Sequence, residues 1–141
     1  MSRIYWNSML FIYWLDNNPL FAKTVASIYS RMGQRNDSLI TSAVTFGEVL
    51  AGMYRKGSPS KAEDVRRTLL SVVSEVIPFT LETAEAYSRI RGSTNIASPD
   101  AIHLACAASA GTDLFLTNDQ KLVGKVIPGI QFIARIDSNI I

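Results

Sequence analysis

Apolar and polar positions along the chain switch repeatedly between two periods. Short runs rich in β-branched and aromatic residues, at 3–7, 38–44, 76–79, 113–117 and 131–134, read as strands. Between them apolar residues recur at helical spacing. Leu20, Val25, Ile28, Tyr29 and Met32 mark one helix, opened by Asn18 as cap and Pro19 at its first position, and stopped at Gly33. A second helix begins at Thr45 and ends near Gly57. A third follows Ser58-Pro59-Ser60 and carries Val65, Leu69, Val72, Val73 and Val76 on one face. Pro78 confines the next strand to a sheet edge, because it has no amide to donate. Thr80 caps a fourth helix that runs to about Arg91, and residues 92–97 form a polar loop. The last long helix opens with Ser98 as cap, Pro99 and Asp100, and ends at Gly111. It is apolar almost all round, which predicts deep burial. A helical turn at 121–123 precedes the final strand.

Strands alternating with helices predict an α/β fold with a mainly parallel central sheet of four to five strands. No internal repeat or linker divides the chain, so residues 1–141 read as one domain. In open α/β sheets, ligands bind beyond the carboxyl ends of the strands. That rule directs attention to Asn7-Ser8, Thr45–Glu48, Ser98–Asp100 and Thr117–Asp119.

Composition narrows the chemistry. At 48% hydrophobic and 18% charged residues, the chain can bury a sizeable core and does not resemble a disordered one. A net charge of +2 permits a nucleic-acid partner without arguing for one. Cys106 is the one cysteine and His103 the one histidine, which excludes a disulfide framework and a multi-cysteine zinc site. A reducing cytoplasm is the expected setting. No apolar run reaches the ~20 residues that span a bilayer. Asn7-Ser8 and Asp16-Asn17-Asn18 break up the N-terminal run, unlike a signal peptide.

Each acid at the predicted ligand edge has a plain structural reading. Thr45-Phe-Gly-Glu48 has the form of a capping box. Asp100 sits in a helical first turn, where the dipole favours an anion. Asp119 follows Thr117-Asn118 in a turn, and Asp113 reads as a strand-entry residue. His103 reads as a satisfied core histidine and Cys106 as a small hydrophobe. Taken together the acids mean more. Three strand-to-helix junctions each bring a carboxylate to one edge, and converging carboxylates repel unless a cation neutralises them. Hard divalent ions such as Mg²⁺ or Mn²⁺ take such oxygen ligands and assist phosphodiester hydrolysis.

Four stretches resemble the PIN-domain family, in particular VapC-type toxins of toxin–antitoxin pairs. They are Ile4-Tyr-Trp-Asn-Ser-Met-Leu-Phe-Ile-Tyr13, Thr41-Ser-Ala-Val-Thr-Phe-Gly-Glu-Val-Leu50, Asp100-Ala-Ile-His-Leu-Ala105 and Leu116-Thr-Asn-Asp119. Each is weak alone; their order and spacing make the match. The resemblance implies a parallel sheet with helices on both faces and a Mg²⁺- or Mn²⁺-dependent ribonuclease. It also implies a cognate antitoxin as partner and a homodimer. Carried over by motif, Glu48, Asp100 and Asp119 fall on metal-site acids, and Ser8, Thr117 and Asn118 on supporting positions. Asp113 is a second candidate for the fourth acid. The segment Met9–Leu15 and the helix beginning at Ser60 are candidate contact surfaces, and an antitoxin could deliver a basic side chain into the acidic site.

Asn7 departs from the pattern. It falls on the first family aspartate, and an amide offers one neutral carbonyl where a carboxylate offers two oxygens and a charge. Metal binding and water activation should both suffer. Natural degeneration and a silencing Asp-to-Asn exchange are the two explanations, and the intact remaining motifs favour the second. The sequence therefore reads as a ribonuclease toxin, inactive or crippled as written. The alternative is a module that binds RNA or antitoxin without cutting, distinguished by whether the three acids come together. An aspartyl phosphatase would need a nucleophilic Asp after the first strand, where Asn7 stands.

Overall fold

A computed structural model describes all 141 residues. Its framework is one five-stranded sheet, β1 (Arg3–Trp6), β2 (Ser38–Ser42), β3 (Glu75–Ile77), β4 (Thr112–Thr117) and β5 (Ile130–Arg135). The strand order is β3-β2-β1-β4-β5, and every pairing is parallel. Six helices fill the connections: α1 (Ser8–Leu15), α2 (Ala22–Arg35), α3 (Ala43–Arg55), α4 (Pro59–Val72), α5 (Leu81–Ser93) and α6 (Ser98–Ala110).

Strand alternation builds two cores. Ile4, Trp6, Leu39, Leu114 and Leu116 face α1 to α4, while Tyr5, Ile40, Phe115 and Ile130 face α5 and α6. Successive side chains on a strand point to opposite faces, so each strand feeds both layers. The chain moves outward from β1 to β2 and β3, then returns to add β4 on the other side of β1. Parallel crossovers are right-handed, so this reversal places the later helices on the opposite face. No helix is long and apolar enough to cross a membrane.

Several expected boundaries shift. Residues 19–21 form a turn, and α2 starts only at Ala22. Asn18 still caps that turn, its Oδ1 accepting from the Leu20 and Phe21 amides at 2.9 and 3.1 Å, which leaves Leu20 76% exposed. Gly33 does not stop α2; Asn36 does, at φ 61°, since a short polar side chain tolerates the left-handed region. Asn7 lies beyond β1, at the N-terminal boundary of α1. α3 begins two residues before Thr45. Val73 and Val76 leave the α4 face, because the helix ends at Val72 and Val76 enters β3. The expected edge position of that strand and the Thr80 cap are both present. Ala97, not Ser98, occupies the cap position of α6, and the Ser98 hydroxyl instead pairs with Tyr87 at 2.6 Å. As expected, α6 is buried on most sides and Gly111 ends it at φ 71°.

Candidate active site

The sheet topology picks out one place before any side chain is considered. β1 sits between β2 and β4, and the chain leaves it in opposite directions, so the crevice beyond the carboxyl ends of β1 and β4 is the switch point of the sheet. Asn7 stands there. Its backbone amide donates to the Leu116 carbonyl at 3.1 Å, which ties the end of β1 to the end of β4. Its side chain is buried, at 4% exposure, with the Ser8 hydroxyl 3.3 Å from its Oδ1.

Glu48 reaches the same edge from the second turn of α3. The capping box expected of Thr45 and Glu48 does not form. Thr45 is buried inside the helix start, its hydroxyl 2.7 Å from Thr41 Oγ1. Glu48 instead meets His103, with Oε1 2.5 Å from Nε2. That hydrogen bond holds the Glu48 carboxyl below the usual carboxylate range against the effect of partial burial, and the Ser8 hydroxyl adds to it.

His103 is satisfied in the core, as its sequence setting suggested, but it also fixes a site acid. Its Nδ1 lies 2.8 Å from the Tyr5 hydroxyl, which lies 2.9 Å from Ser42 Oγ. Burial pushes the Tyr5 phenol well above its ordinary value, so it stays protonated. With Glu48 ionised, Nε2 presents a proton to the carboxylate, and Nδ1 pairs with the phenol oxygen. Tyr5 and Ser42 were not anticipated. Tyr5 shares its strand face with Asn7, two residues on, and that parity was the available signal. Cys106 is buried beside this chain of groups and its thiol is pushed up by burial, so it acts as a small hydrophobe.

Asp100 lies in the first turn of α6. The far end of α6 is fixed at the opposite edge, where Arg3 Nε donates to the Gly111 carbonyl at 3.1 Å. Asp100 is thereby brought to the carboxyl edge of the sheet. Burial lifts its carboxyl above the ordinary value, the negative charges of Asp119 and Glu48 lift it further, and His103 and Lys121 oppose the shift. Asp119 caps a tight turn after β4: its amide donates to Thr117 Oγ1 at 3.0 Å, and its Oδ1 accepts from the Lys121 amide at 2.9 Å. Asn118 is tied down on both sides, donating to the Tyr13 hydroxyl and accepting from Arg135. Asp113 belongs elsewhere. It starts β4 and accepts from the Arg3 amide at 2.7 Å, at the opposite sheet edge, so it is a strand-entry residue and not a fourth site acid.

The donor set is all oxygen: three carboxylates and the Asn7 carbonyl. That chemistry fits a hard divalent cation. The setting of Asp100 fits it too, because a cation would offset both the burial that raises its carboxyl and the repulsion from Asp119 and Glu48 that adds to the rise. As the side chains stand, no three acidic, His or Cys groups gather closely enough to hold an ion. Glu48 is engaged by His103, and position 7 carries no charge.

A stability prediction follows from Asp100. Its folded-state pKa is raised, so between the ordinary value and the raised one the folded protein holds more protons than the unfolded chain. Stability therefore falls as pH rises through that window and stays lower above it. Without metal at pH 7, Asp100→Asn should raise the melting temperature by about 1–3 °C, a modest gain because the side chain is half exposed. The gain should vanish at pH 3, where both forms are neutral. Calorimetric melting at the two pH values checks it.

Comparisons with known proteins agree with this architecture. The model of the family described as "PIN domain" matches residues 8–125. No curated protein matches the chain in sequence. Among solved structures, VapBC2 of Rickettsia felis bound to a promoter DNA fragment is similar at TM-score 0.75 and 17% identity, covering 94% of this chain and 98% of that one. VapBC-1 of nontypeable Haemophilus influenzae is similar at TM-score 0.66 and 17% identity, covering 84% and 87%. VapBC-5 of Mycobacterium tuberculosis, a member of the VapBC family of toxin–antitoxin systems, is similar at TM-score 0.60 and 21% identity, covering 96% and 99%.

Proposed function

The chain belongs to the PIN-domain family, and from that premise we propose that it is a VapC-type, Mg²⁺- or Mn²⁺-dependent endoribonuclease toxin, crippled as written by Asn7. One observation carries the reading. Asp100 and Asp119 line one cleft beyond the carboxyl ends of a parallel sheet, and Asp100 feels the charge of both Asp119 and Glu48 there, where Asn7 stands in the place of a fourth acid.

The residues divide the work by their settings. Glu48, Asp100 and Asp119, with position 7, would hold the cation, which when bound supplies the Lewis acidity and water activation that phosphodiester hydrolysis needs. His103, backed by Tyr5, orients the Glu48 carboxylate. Thr117 fixes the turn that presents Asp119, and the Ser8 hydroxyl supports position 7. Asn7 keeps the shape of an aspartate and removes its charge. With the other motif residues intact, a single silencing exchange accounts for it better than drift. A cognate antitoxin, a homodimeric state and a cytoplasmic setting complete the proposal. The apolar groove between α1 and α4, lined by Phe11, Trp14, Leu15, Leu69 and Val72, is the surface such a protein partner would cover.

The test is RNA cleavage in Mn²⁺ by Asn7→Asp beside the chain as written. Cleavage that EDTA abolishes supports the reading. No cleavage by Asn7→Asp with metal binding confirmed sinks it. The second reading, a module that binds RNA or antitoxin without cutting, is favoured by the amide at position 7 and by the lack of three gathered ligands. It predicts that Asn7→Asp changes nothing.

A further inference from the structure

Beside the acids runs a cleft of about 520 Å³ whose lining includes Asn95, Asp100, Asp119, Lys121, Leu122 and Lys125. The backbone that carries its two lysines is held in place. The turn after β4 is closed by backbone bonds from the Leu122 amide to the Asp119 carbonyl at 3.1 Å and from the Lys125 amide to the Leu122 carbonyl at 3.2 Å. Leu122 is buried in the core that α5 and α6 share, which anchors the turn between the two lysines.

Neither lysine takes part in an ion pair, so both ammonium groups are free to meet a ligand in the cleft. Lys121 is close enough to Asp100 for its charge to oppose the rise of that carboxyl. Relief of the acidic pair accounts for Lys121 in part, and leaves Lys125 without a role. Carboxylates at one part of a cleft and unpaired ammonium groups at another suit a chain of phosphodiesters, with one linkage at the acids and the next against the lysines. Lysine binds phosphate as a point charge, which positions a backbone without reading its sequence.

We propose that Lys121 and Lys125 form the subsite that binds the phosphate adjoining the scissile linkage of single-stranded RNA. The inference rests on the ribonuclease reading of the neighbouring acids. It concerns binding, so it is tested without turnover.

The probe is a short fluorescent single-stranded RNA, titrated in EDTA with the full chain as written. The chain should bind, and Lys121→Ala/Lys125→Ala should weaken binding about tenfold at low salt. For single strands each phosphate contact contributes about 0.7 to the dependence of log affinity on log salt, so the double variant, which loses one phosphate contact, should lose about 0.7 from that slope. Lys61→Ala, on the first turn of α4, should leave both quantities unchanged. Equal affinity and slope in the double variant, or no RNA binding by the chain as written, overturns the subsite. So does competition by an acidic polyglutamate peptide as effective as by unlabelled RNA, which would make the wall a docking surface for an acidic protein segment. If Asn7→Asp still cuts RNA in Mn²⁺ when the slope is unchanged, the subsite alone falls. If Asn7→Asp cuts nothing, the ribonuclease reading falls, whatever the lysines do.

Discussion

Asn7→Asp is expected to raise Mn²⁺-dependent RNA cleavage by at least about 100-fold over the chain as written. Position 7 is 4% exposed and pinned between the ends of β1 and β4, so the new carboxylate needs no rearrangement to occupy the amide's place. Ser8, already 3.3 Å from the Asn7 oxygen, remains available to hydrogen-bond it. What changes is charge. A fourth carboxylate beside Asp100, Asp119 and Glu48 increases the repulsion that adds to the burial-driven rise of Asp100, and so increases the affinity for a neutralising dication. The same exchange should lower the melting temperature without metal and recover it in millimolar Mn²⁺, because an ion that binds only the folded state stabilises it. Gel-based cleavage with the metal varied, beside melting curves, reads both effects.

Gly129→Ala should be among the most damaging single substitutions outside the site. Gly129 has φ 97°, and a Cβ built there would lie 2.5 Å from the Ala108 carbonyl oxygen and 3.0 Å from its carbon. That contact is helix backbone in α6, packed against the sheet, and cannot rotate away. The Gly129 carbonyl also accepts from the Thr112 amide at 3.0 Å, so moving the loop would disturb the start of β4 as well. Strain and overpacking together should cost roughly 2–4 kcal/mol. For a chain of this length that is roughly an 8–14 °C drop in melting temperature. Gly111→Ala is the control. It has φ 71° but nothing within 4 Å of the added Cβ, so it should cost only the conformational penalty of about 1–2 kcal/mol. Equal losses at the two positions would show that the close approach to α6 carries no weight.

Periodicity exposed the sheet and the helices because burial repeats along each element, and the site edge followed from strand direction alone. Local motifs did less well wherever a distant partner competed. Thr45 and Glu48 have capping-box spacing, but helix α3 begins at Ala43, which turns Thr45 inward toward Thr41 and frees Glu48 for His103, 55 residues away. Ser98 looked like a cap until Tyr87 took its hydroxyl. Gly33 looked like a stop, but a glycine inside a helix costs only about 1 kcal/mol, and Asn36 closes the helix three residues later. Asp113 could not be separated from Asp119 by composition. The sheet separates them, one at each end of β4. The coupling of Asp100 to Asp119 and Glu48 was anticipated in kind, while the engagement of Glu48 by His103 was not, since nothing local in the sequence marks a tertiary hydrogen bond.

On the proposed function, position 7 and the three acids hold one cation together. The measurement that decides it is titration of Mn²⁺ into Asn7→Asp and into Asn7→Asp/Asp100→Asn, followed by the electron paramagnetic resonance signal of free Mn²⁺. Saturable binding by the first, weakened roughly tenfold or more in the second, is the predicted result. Equal binding by the two proteins, or none by Asn7→Asp, would contradict it.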